Sequence, residues 1–559
     1  MRHPARQRAM FRRRRRRLLP LLIVIAIVAG TAGGYALFSH FTSGGSSALE
    51  KPVDSCDVPL PLLERVWRGY VRGRSGDVLA IEQLPNQWGS RHSTPYAYTQ
   101  DVPLVLYGPG FVKHGFRSVK DVTLADVAPT QAELLDFTAF PERDGSPLKS
   151  ALLPDPKRNG VPRLIYTLVW DGVGMNALDR WPDSWPNLKR LMASGANFTN
   201  ATAGSSPSIT PATHATIGTG DFPIHHGISD VRMRVNDEMV DAEPNDSPRF
   251  LRIPTLADLW DQANGNQPIV GLMARDGWHL GMMGHGAQMP GGDKDIAVLD
   301  DLGSVSYHTN ADFYTLPSYL VNGNVGLQED ITKVDQRDGR ADGEWLGTPM
   351  LPTDGRVRYT PAWDIFETQQ VEQLLSNERF GQDTIPDLFF NNYKSGDLAG
   401  HEWGMTTPQV RDDIAEQDAQ LPLIVNYLND HVGKDNYVLI ITADHGMQPY
   451  STVTGGWPID SQEMTDDIER RFDHTTPGTP LVMSNRGYQY MLDHKEMRRN
   501  HVTADQVAAY IRSYRISDNV KKGATVPRAF QDKLNQRLFL TALTPPQLKR
   551  AMQCAKERV

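Results

Sequence analysis

Four short apolar runs, each closing on a polar cluster, set the pattern of this chain: RLIYTLVWDGVG (163–174), QPIVGLMARDG (267–277), PDLFFNNYKSGD (386–397) and NYVLIITADHG (436–446). Their apolar positions are consecutive rather than alternating, which predicts strands covered on both faces, as in a parallel sheet. Between them lie helix-like stretches such as WPNLKRLMASG (185–195) and TPQVRDDIAEQDAQLPLIVNYLNDHV (407–432). Strands alternating with helices predict an α/β domain with a mostly parallel sheet. Chemistry in such sheets collects beyond the carboxyl ends of strands. Those ends carry Asp171, Asp397 and the pair Asp444–His445. Residues 286–365, rich in Gly, Asp and turn signals, are expected to form an insertion or cap.

The N-terminus breaks this pattern. Residues 18–38, LLPLLIVIAIVAGTAGGYALF, carry no charge and match the ~20 residues of a bilayer-spanning helix. Residues 1–17 before them hold nine Arg and no acid. Arg ahead of an apolar span predicts a cytoplasmic basic tail (1–17), a transmembrane signal anchor (18–38) and a flexible linker (39–51), with an extracytoplasmic body at 52–559. A cleaved signal peptide is the alternative, although the apolar stretch is longer than its usual ~7–15 residues. The net charge is -8 with that basic tail included, so the body is strongly acidic. An acidic body argues against nucleic-acid binding, which rests on phosphate neutralisation by Lys and Arg. The chain has two cysteines, Cys56 and Cys554, near opposite ends of the body. An oxidising compartment permits a bond between them, and the sequence alone leaves that pairing open.

Asp444-His445-Gly446 after VLIIT places two metal-ligand types at one strand end. Asp397-Leu-Ala-Gly-His401 places a carboxylate and an imidazole four residues apart. Carboxylate and imidazole together favour zinc, with manganese or iron as alternatives. SSPSITPATHATIGTG (205–220) is dense in hydroxyls and predicts a turn entering a helix, where backbone N–H groups favour anionic oxygen. Taken singly, each motif has a bland reading: a helix cap, a structural ion pair, a Ser/Thr-rich loop.

Taken in order, DGVG, TPATHATIGTG with HHGISD, DLAGH and ADHGM resemble the alkaline phosphatase superfamily. The resemblance is to its threonine-nucleophile phosphodiesterase/nucleotide pyrophosphatase branch. It implies a doubly wound α/β sandwich with two divalent metal ions, usually zinc. It also implies Thr210 as nucleophile, with Asp171, Asp444 and His445 joining it on one metal and Asp397 and His401 on the other. A further His is needed. In the family it lies late, in a segment of the form strand, His-Gly-x-Pro-Tyr, strand, Gly-Pro-Gly, helix with Ala-Pro-Thr. Here RHSTPYAYTQDVPLVLYGPGF (91–111) and LADVAPTQAELLDF (124–137) match that segment, but at the front of the chain. Residues 66–150 therefore resemble the family's C-terminal portion moved forward, a circular permutation, with His92 as the missing ligand. His474, in RRFDHTTPGTPL, is the rival. Permutation would bring the two chain ends together, and a Cys56–Cys554 disulfide is then expected.

The resemblance implies in-line attack by Thr210 and a phospho-threonine intermediate. Thr213 stands where an oxyanion contact is expected. Arg275 in ARDGWHLGMMGHG (274–286) aligns with one half of the monoesterase branch's Lys-x-Arg clamp, and Gly277 replaces the other half. A diester carries one negative charge and needs less cationic help than a terminal phosphate, so a phosphodiesterase is expected over a phosphomonoesterase. A sulfatase would need C/S-x-P-x-R, and Ser205-Ser206-Pro207-Ser208-Ile209 lacks the Arg. A catalytically idle, membrane-anchored binding or assembly subunit is the alternative of another class. Protein partners are not legible.

Overall fold

The computed structural model describes residues 54–558, except 90, 155–156, 301–305, 321–324 and 476–477. The expected tail, anchor and linker at 1–51 lie outside the described residues. Among the described residues no helix is long and apolar enough to cross a membrane.

The strands begin with β1 (Val78–Glu82), β2 (Leu104–Tyr107), β3 (Phe116–Thr123), β4 (Leu164–Trp170) and β5 (Ala196–Thr202). A hairpin of β6 (Arg232–Val235) and β7 (Glu238–Asp241) precedes β8 (Val270–Ala274), β9 (Ile296–Asp300) and β10 (Tyr307–His308). A second hairpin, β11 (Glu344–Trp345) and β12 (Thr348–Pro349), precedes β13 (Asp387–Tyr393) and β14 (Tyr437–Thr442). The last are β15 (Val482–Ser484), β16 (Gln489–Leu492) and β17 (Phe539–Leu543).

Nine strands form the main sheet, in the order β10-β9-β8-β13-β4-β14-β2-β5-β3. From β9 to β14 every neighbouring pair is parallel. Strand β2 runs antiparallel between β14 and β5. The four apolar runs of the sequence are the strands β4, β8, β13 and β14, and every residue in them is buried. Alternate residues of β4 face two different cores. Leu164, Tyr166, Leu168 and Trp170 pack with the helices Pro361–Asn377 and Pro408–Leu428, and Ile165 and Val169 pack with the helices Val127–Leu134 and Leu256–Ala263. Both faces of the sheet are thus covered by helices, as the doubly wound expectation requires. Strand β13 buries three polar side chains, each with at least one hydrogen-bond partner, although Asn392 Oδ1 has none. Asp387 accepts from the backbone N–H groups of Ile269 and Gly381, and Asn391 and Asn392 donate to Glu367 and Asp171.

The expected cap at 286–365 is corrected in part. Strands β9 and β10 fall inside that range and belong to the main sheet. The run Ile296–Asp300 is buried throughout but short, and the Gly- and Asp-rich residues around it hid it. The material that leaves the sheet begins after β10, with the helix Leu327–Asp335 and the second hairpin.

A second sheet was not foreseen. It is antiparallel, in the order β15-β16-β1-β17, and has its own apolar clusters. One flanking cluster joins the first and last described helices, Leu60–Gly69 and Pro545–Glu557, through Leu63, Val66, Leu548 and Ala551. Beside it Cys56 and Cys554 form a disulfide with Cα atoms 5.4 Å apart, across 498 residues of sequence. Arg558 also pairs with Asp57. The two ends of the described chain are therefore neighbours.

Candidate active site

Thr210 is the first residue of the helix Thr210–Thr219. The chain reaches it through Ile209, in extended conformation, and Pro211 occupies the first turn, where its fixed φ suits a helix and its missing N–H costs nothing. The Thr210 side chain faces a cavity of about 830 Å³, lined also by His92, Asp397, His401, Lys394 and Arg275.

Two groups of convergent ligand atoms flank this threonine. Asp171, Asp444 and His445 form one, fully buried beyond the ends of β4 and β14. His445 Nε2 lies 3.0 Å from Asp444 Oδ2 and 3.7 Å from Asp171 Oδ1. His92, Asp397 and His401 form the other, with His92 Nε2 3.9 Å and His401 Nε2 3.3 Å from Asp397 Oδ1. The rings of His92 and His445 stack at 3.6 Å, so the two groups adjoin.

The histidine tautomers follow from their outer partners. His92 Nδ1–H donates to the Ser208 carbonyl at 2.7 Å, and His445 Nδ1–H donates to the Gly446 carbonyl at 3.0 Å. Each directs Nε2 at the carboxylates, the arrangement of a metal-ligating imidazole, although burial is outweighed by Asp444 and Asp171, which raise the His445 imidazole to about 9, so its Nε2 keeps a proton until a cation replaces it. Burial, with His445 beside it, holds the His92 imidazole well below its ordinary pKa and keeps its Nε2 lone pair free. His445 Nε2 and Asp397 Oδ1 are buried with no hydrogen-bond partner. An unsatisfied polar atom of this kind is costly unless a cation occupies the space it faces. The donor set fits divalent metal in both groups, with oxygen and imidazole nitrogen as for zinc.

Every predicted metal ligand is brought to this place, His92 included. His474 is not. It is exposed on the loop after the helix Ser461–Phe472, and its backbone N–H bonds to Asn500. Thr213 lies one turn beyond Thr210 on the same helix. Its hydroxyl has three acceptors within reach, the carbonyls of Ile209 (3.0 Å) and Thr210 (3.1 Å) and Asp444 Oδ2 (3.4 Å), and the residue is fully buried. Arg275 does line the cavity, and its Nη1 is buried without a partner.

Three residues at the site were not read from the sequence. Asn392 donates to Asp171 Oδ2 (3.1 Å) and to His214 Nε2 (3.0 Å), and His214 Nδ1–H donates to the Thr210 carbonyl (2.7 Å). Both nitrogens of His214 are thereby engaged, which makes it a support for Thr210 rather than a ligand. His214 follows Thr210 by four residues, one helical turn, and that spacing was the available signal. The third is Lys394, whose ammonium lies 2.8 Å from Asp171 Oδ1, 2.9 Å from Asp397 Oδ2 and 3.0 Å from Thr210 Oγ1. Burial opposes its charge, but Asp171, Asp397 and Asp444 outweigh that and hold the ammonium above its ordinary range. In turn burial would raise the carboxyls of Asp171 and Asp397, and Lys394 holds both below the ordinary carboxylate range.

With this geometry in view, comparison with known proteins decides the family. The profile of the type I phosphodiesterase / nucleotide pyrophosphatase family matches residues 166–545, more than half of the chain. The chain belongs to that family. Its enzyme class follows: a hydrolase of phosphoric esters within the alkaline phosphatase superfamily. Alkaline phosphatase PafA of Elizabethkingia meningoseptica is 26% identical over 421 residues, covering 65% of this chain and 75% of the relative. Alkaline phosphatase PhoV of Synechococcus elongatus is 22% identical over 339 residues, covering 52% and 60%. The crystal structure of wild-type PafA superposes with a TM-score of 0.52 at 19% identity, over 68% of this chain and 83% of that one, and shows the shared fold. The family match begins after the segment that carries His92.

Proposed function

We propose that this family member is a membrane-anchored, extracytoplasmic hydrolase of phosphate esters that works through a phospho-Thr210 intermediate. The observation that carries the reading is the placing of Thr210 at a helix N-terminus on a cavity floor, between two groups of convergent ligand atoms. Asp171, Asp444 and His445, joined by Thr210, would hold one divalent metal ion, and His92, Asp397 and His401 a second. Such ions supply Lewis-acid charge at the attacking, leaving and non-bridging oxygens.

The chain's own groups set the geometry. The Thr210 oxygen attacks phosphorus in line, the Oγ–P bond forms and the bond to the leaving oxygen breaks. The hydroxyl proton ends on the leaving group. Water then attacks the phospho-threonine, releasing phosphate or its monoester and restoring the hydroxyl. Backbone N–H groups of the first helical turn favour the anionic oxygens at Thr210. His214 and Asn392 hold the Thr210 carbonyl and Asp171 in one frame, which limits the reorganisation needed at attack. Arg275, whose Nη1 is buried without a partner, is a guanidinium donor in the cavity for a phosphoryl oxygen, and Arg91 and Arg486 also line it.

The front position of His92 is best accounted for by circular permutation. Supporting it are the neighbouring chain ends and the insertion of β2 beside β14, from a segment before the family match. The anchor at 18–38 places this chemistry at the outer membrane surface. The test is metal analysis of the purified full chain, with hydrolysis of p-nitrophenyl phosphate and bis-p-nitrophenyl phosphate by wild type and Thr210→Ala. Bound metal and Thr210-dependent hydrolysis of either ester support the reading. A chain that binds no metal and hydrolyses neither is the idle binding subunit instead. Membrane fractionation with protease protection tests the anchor, and a body released without residues 1–51 would refute it.

A further inference from the structure

Lys394 has no counterpart in the two-metal scheme implied by the resemblance. Its side chain is buried, yet it lines the cavity and reaches one oxygen from each ligand group as well as the threonine. An ammonium has three protons, and here each has one acceptor: Asp171 Oδ1, Asp397 Oδ2 and Thr210 Oγ1. Its backbone is fixed at the start of the helix Ser395–Glu402, directly after β13. The residue after it is anchored too, the Ser395 hydroxyl sharing its proton between the two oxygens of Asp364. The reacting oxygen is thus an acceptor from a fixed cation, and the Thr210 proton must point elsewhere.

We infer that Lys394 is a catalytic cation of the phosphoryl site, touching the attacking oxygen and binding a phosphoryl oxygen beside it. The inference rests on the ester hydrolysis proposed above and narrows its substrate. The sequence suggested half a clamp, Arg275 with Gly277 where the second cation was expected. Lys394 supplies that second charge from a different strand end. Lys394 approaches from the β13 side and Arg275 from the end of β8, so these two cations converge on one cavity, which Arg91 and Arg486 also line. Two such charges suit the dianionic terminal phosphoryl of a monoester better than the single charge of a diester. At attack the ammonium stabilises the alkoxide form of Thr210. As the Oγ–P bond forms, that oxygen loses its charge, and the ammonium's bond is better made to the non-bridging oxygen on which charge develops. A donor that gains at the transition state raises kcat as well as affinity.

The test compares full-chain wild type, Lys394→Met and Lys394→Arg, each with its metal content measured by mass spectrometry. Inorganic phosphate binding is measured by calorimetry, and kcat/KM for the two p-nitrophenyl esters. Lys394→Met is expected to keep its metal, bind phosphate at least about tenfold more weakly, and lose on the order of 10²–10³ in monoester kcat/KM. The loss on the diester should be smaller. Lys394→Arg retains the charge and should bind phosphate more tightly than Lys394→Met. The inference is overturned if Lys394→Met binds phosphate and cleaves the monoester within twofold of wild type. It is also overturned if its losses vanish once metal is restored, since Lys394 then only organises the ligands. If Lys394→Met does not fold, a metal-replete Lys394→Arg that binds phosphate as wild type supports the inference. An Arg variant that has lost phosphate binding altogether overturns it. Wild type that hydrolyses neither ester refutes the proposed function instead, which separates the two failures.

Discussion

Glu82 lies at the end of β1, away from the reacting atoms but under the two loops that supply His92 and His445. Its Oε1 accepts from Tyr98 Oη (3.2 Å) and Gln448 Nε2 (3.2 Å), and the Gln448 backbone N–H donates to the Arg91 carbonyl. The residue is fully buried, Oε2 has no partner, and no basic side chain faces it. Burial therefore pushes the Glu82 carboxyl up to about 8, from an ordinary value of 4.5. Between those values the folded chain keeps the proton and the unfolded chain has lost it. Stability must then fall as pH rises, by about 1.4 kcal/mol per pH unit, because the folded state binds the extra proton. The contribution is fully present below pH 4.5 and is lost as pH rises through about 8. Glu82→Gln keeps the shape and removes the titration. Relative to wild type, the variant should gain about 4 kcal/mol on moving from pH 5 to pH 8. Urea unfolding of both proteins at the two pH values, with metal in excess, measures this double difference and cancels every other titrating group. An equal wild-type–variant gap at pH 5 and pH 8 would refute the argument that the buried carboxyl is protonated in the fold.

Other outcomes follow from the same geometry. Thr210→Ala should lose at least about 10³ in kcat, about 4 kcal/mol, while mass spectrometry finds at least most of the metal still bound. His92→Ala should lose metal on dialysis and His474→Ala should not, because His474 lies exposed and apart from both ligand groups. The reverse result would remove His92 from the site. Cys56→Ser should lower stability by about 6 kcal/mol on the loop-entropy account of a bridge across 498 residues, read as a fall in the melting temperature that wild type shows only after reduction. No change on reduction would mean that the packed terminal helices hold the ends together unaided.

The parallel strands β4, β8, β13 and β14 were legible because a strand buried on both faces must be apolar at consecutive positions. The ligands Asp171, Asp397, His401, Asp444 and His445 were legible because they sit at or just beyond the ends of those strands, where sequence distance and spatial distance nearly coincide. Strand β9 was missed because four apolar residues and an Asp among turn signals carry too little periodicity to stand out. The second sheet was missed because β1 and β17 are far apart in sequence, and pairing of that kind leaves no local pattern. That Thr213 is buried against Asp444, and does not line the cavity with Thr210, was not legible either, because it depends on what packs over the helix.

The local requirements of backbone and burial are written in the chain order, so sequence alone determined the α/β class, the place of Thr210 at a helix start and the carboxylate and imidazole types at the strand ends. Choices between distant candidates are different. His92 against His474, the pairing of Cys56 with Cys554, and Lys394 as the cation between Asp171, Asp397 and Thr210 depend on which segments pack together. Packing is a long-range outcome of burying the whole apolar surface at once, and only the tertiary structure decided it.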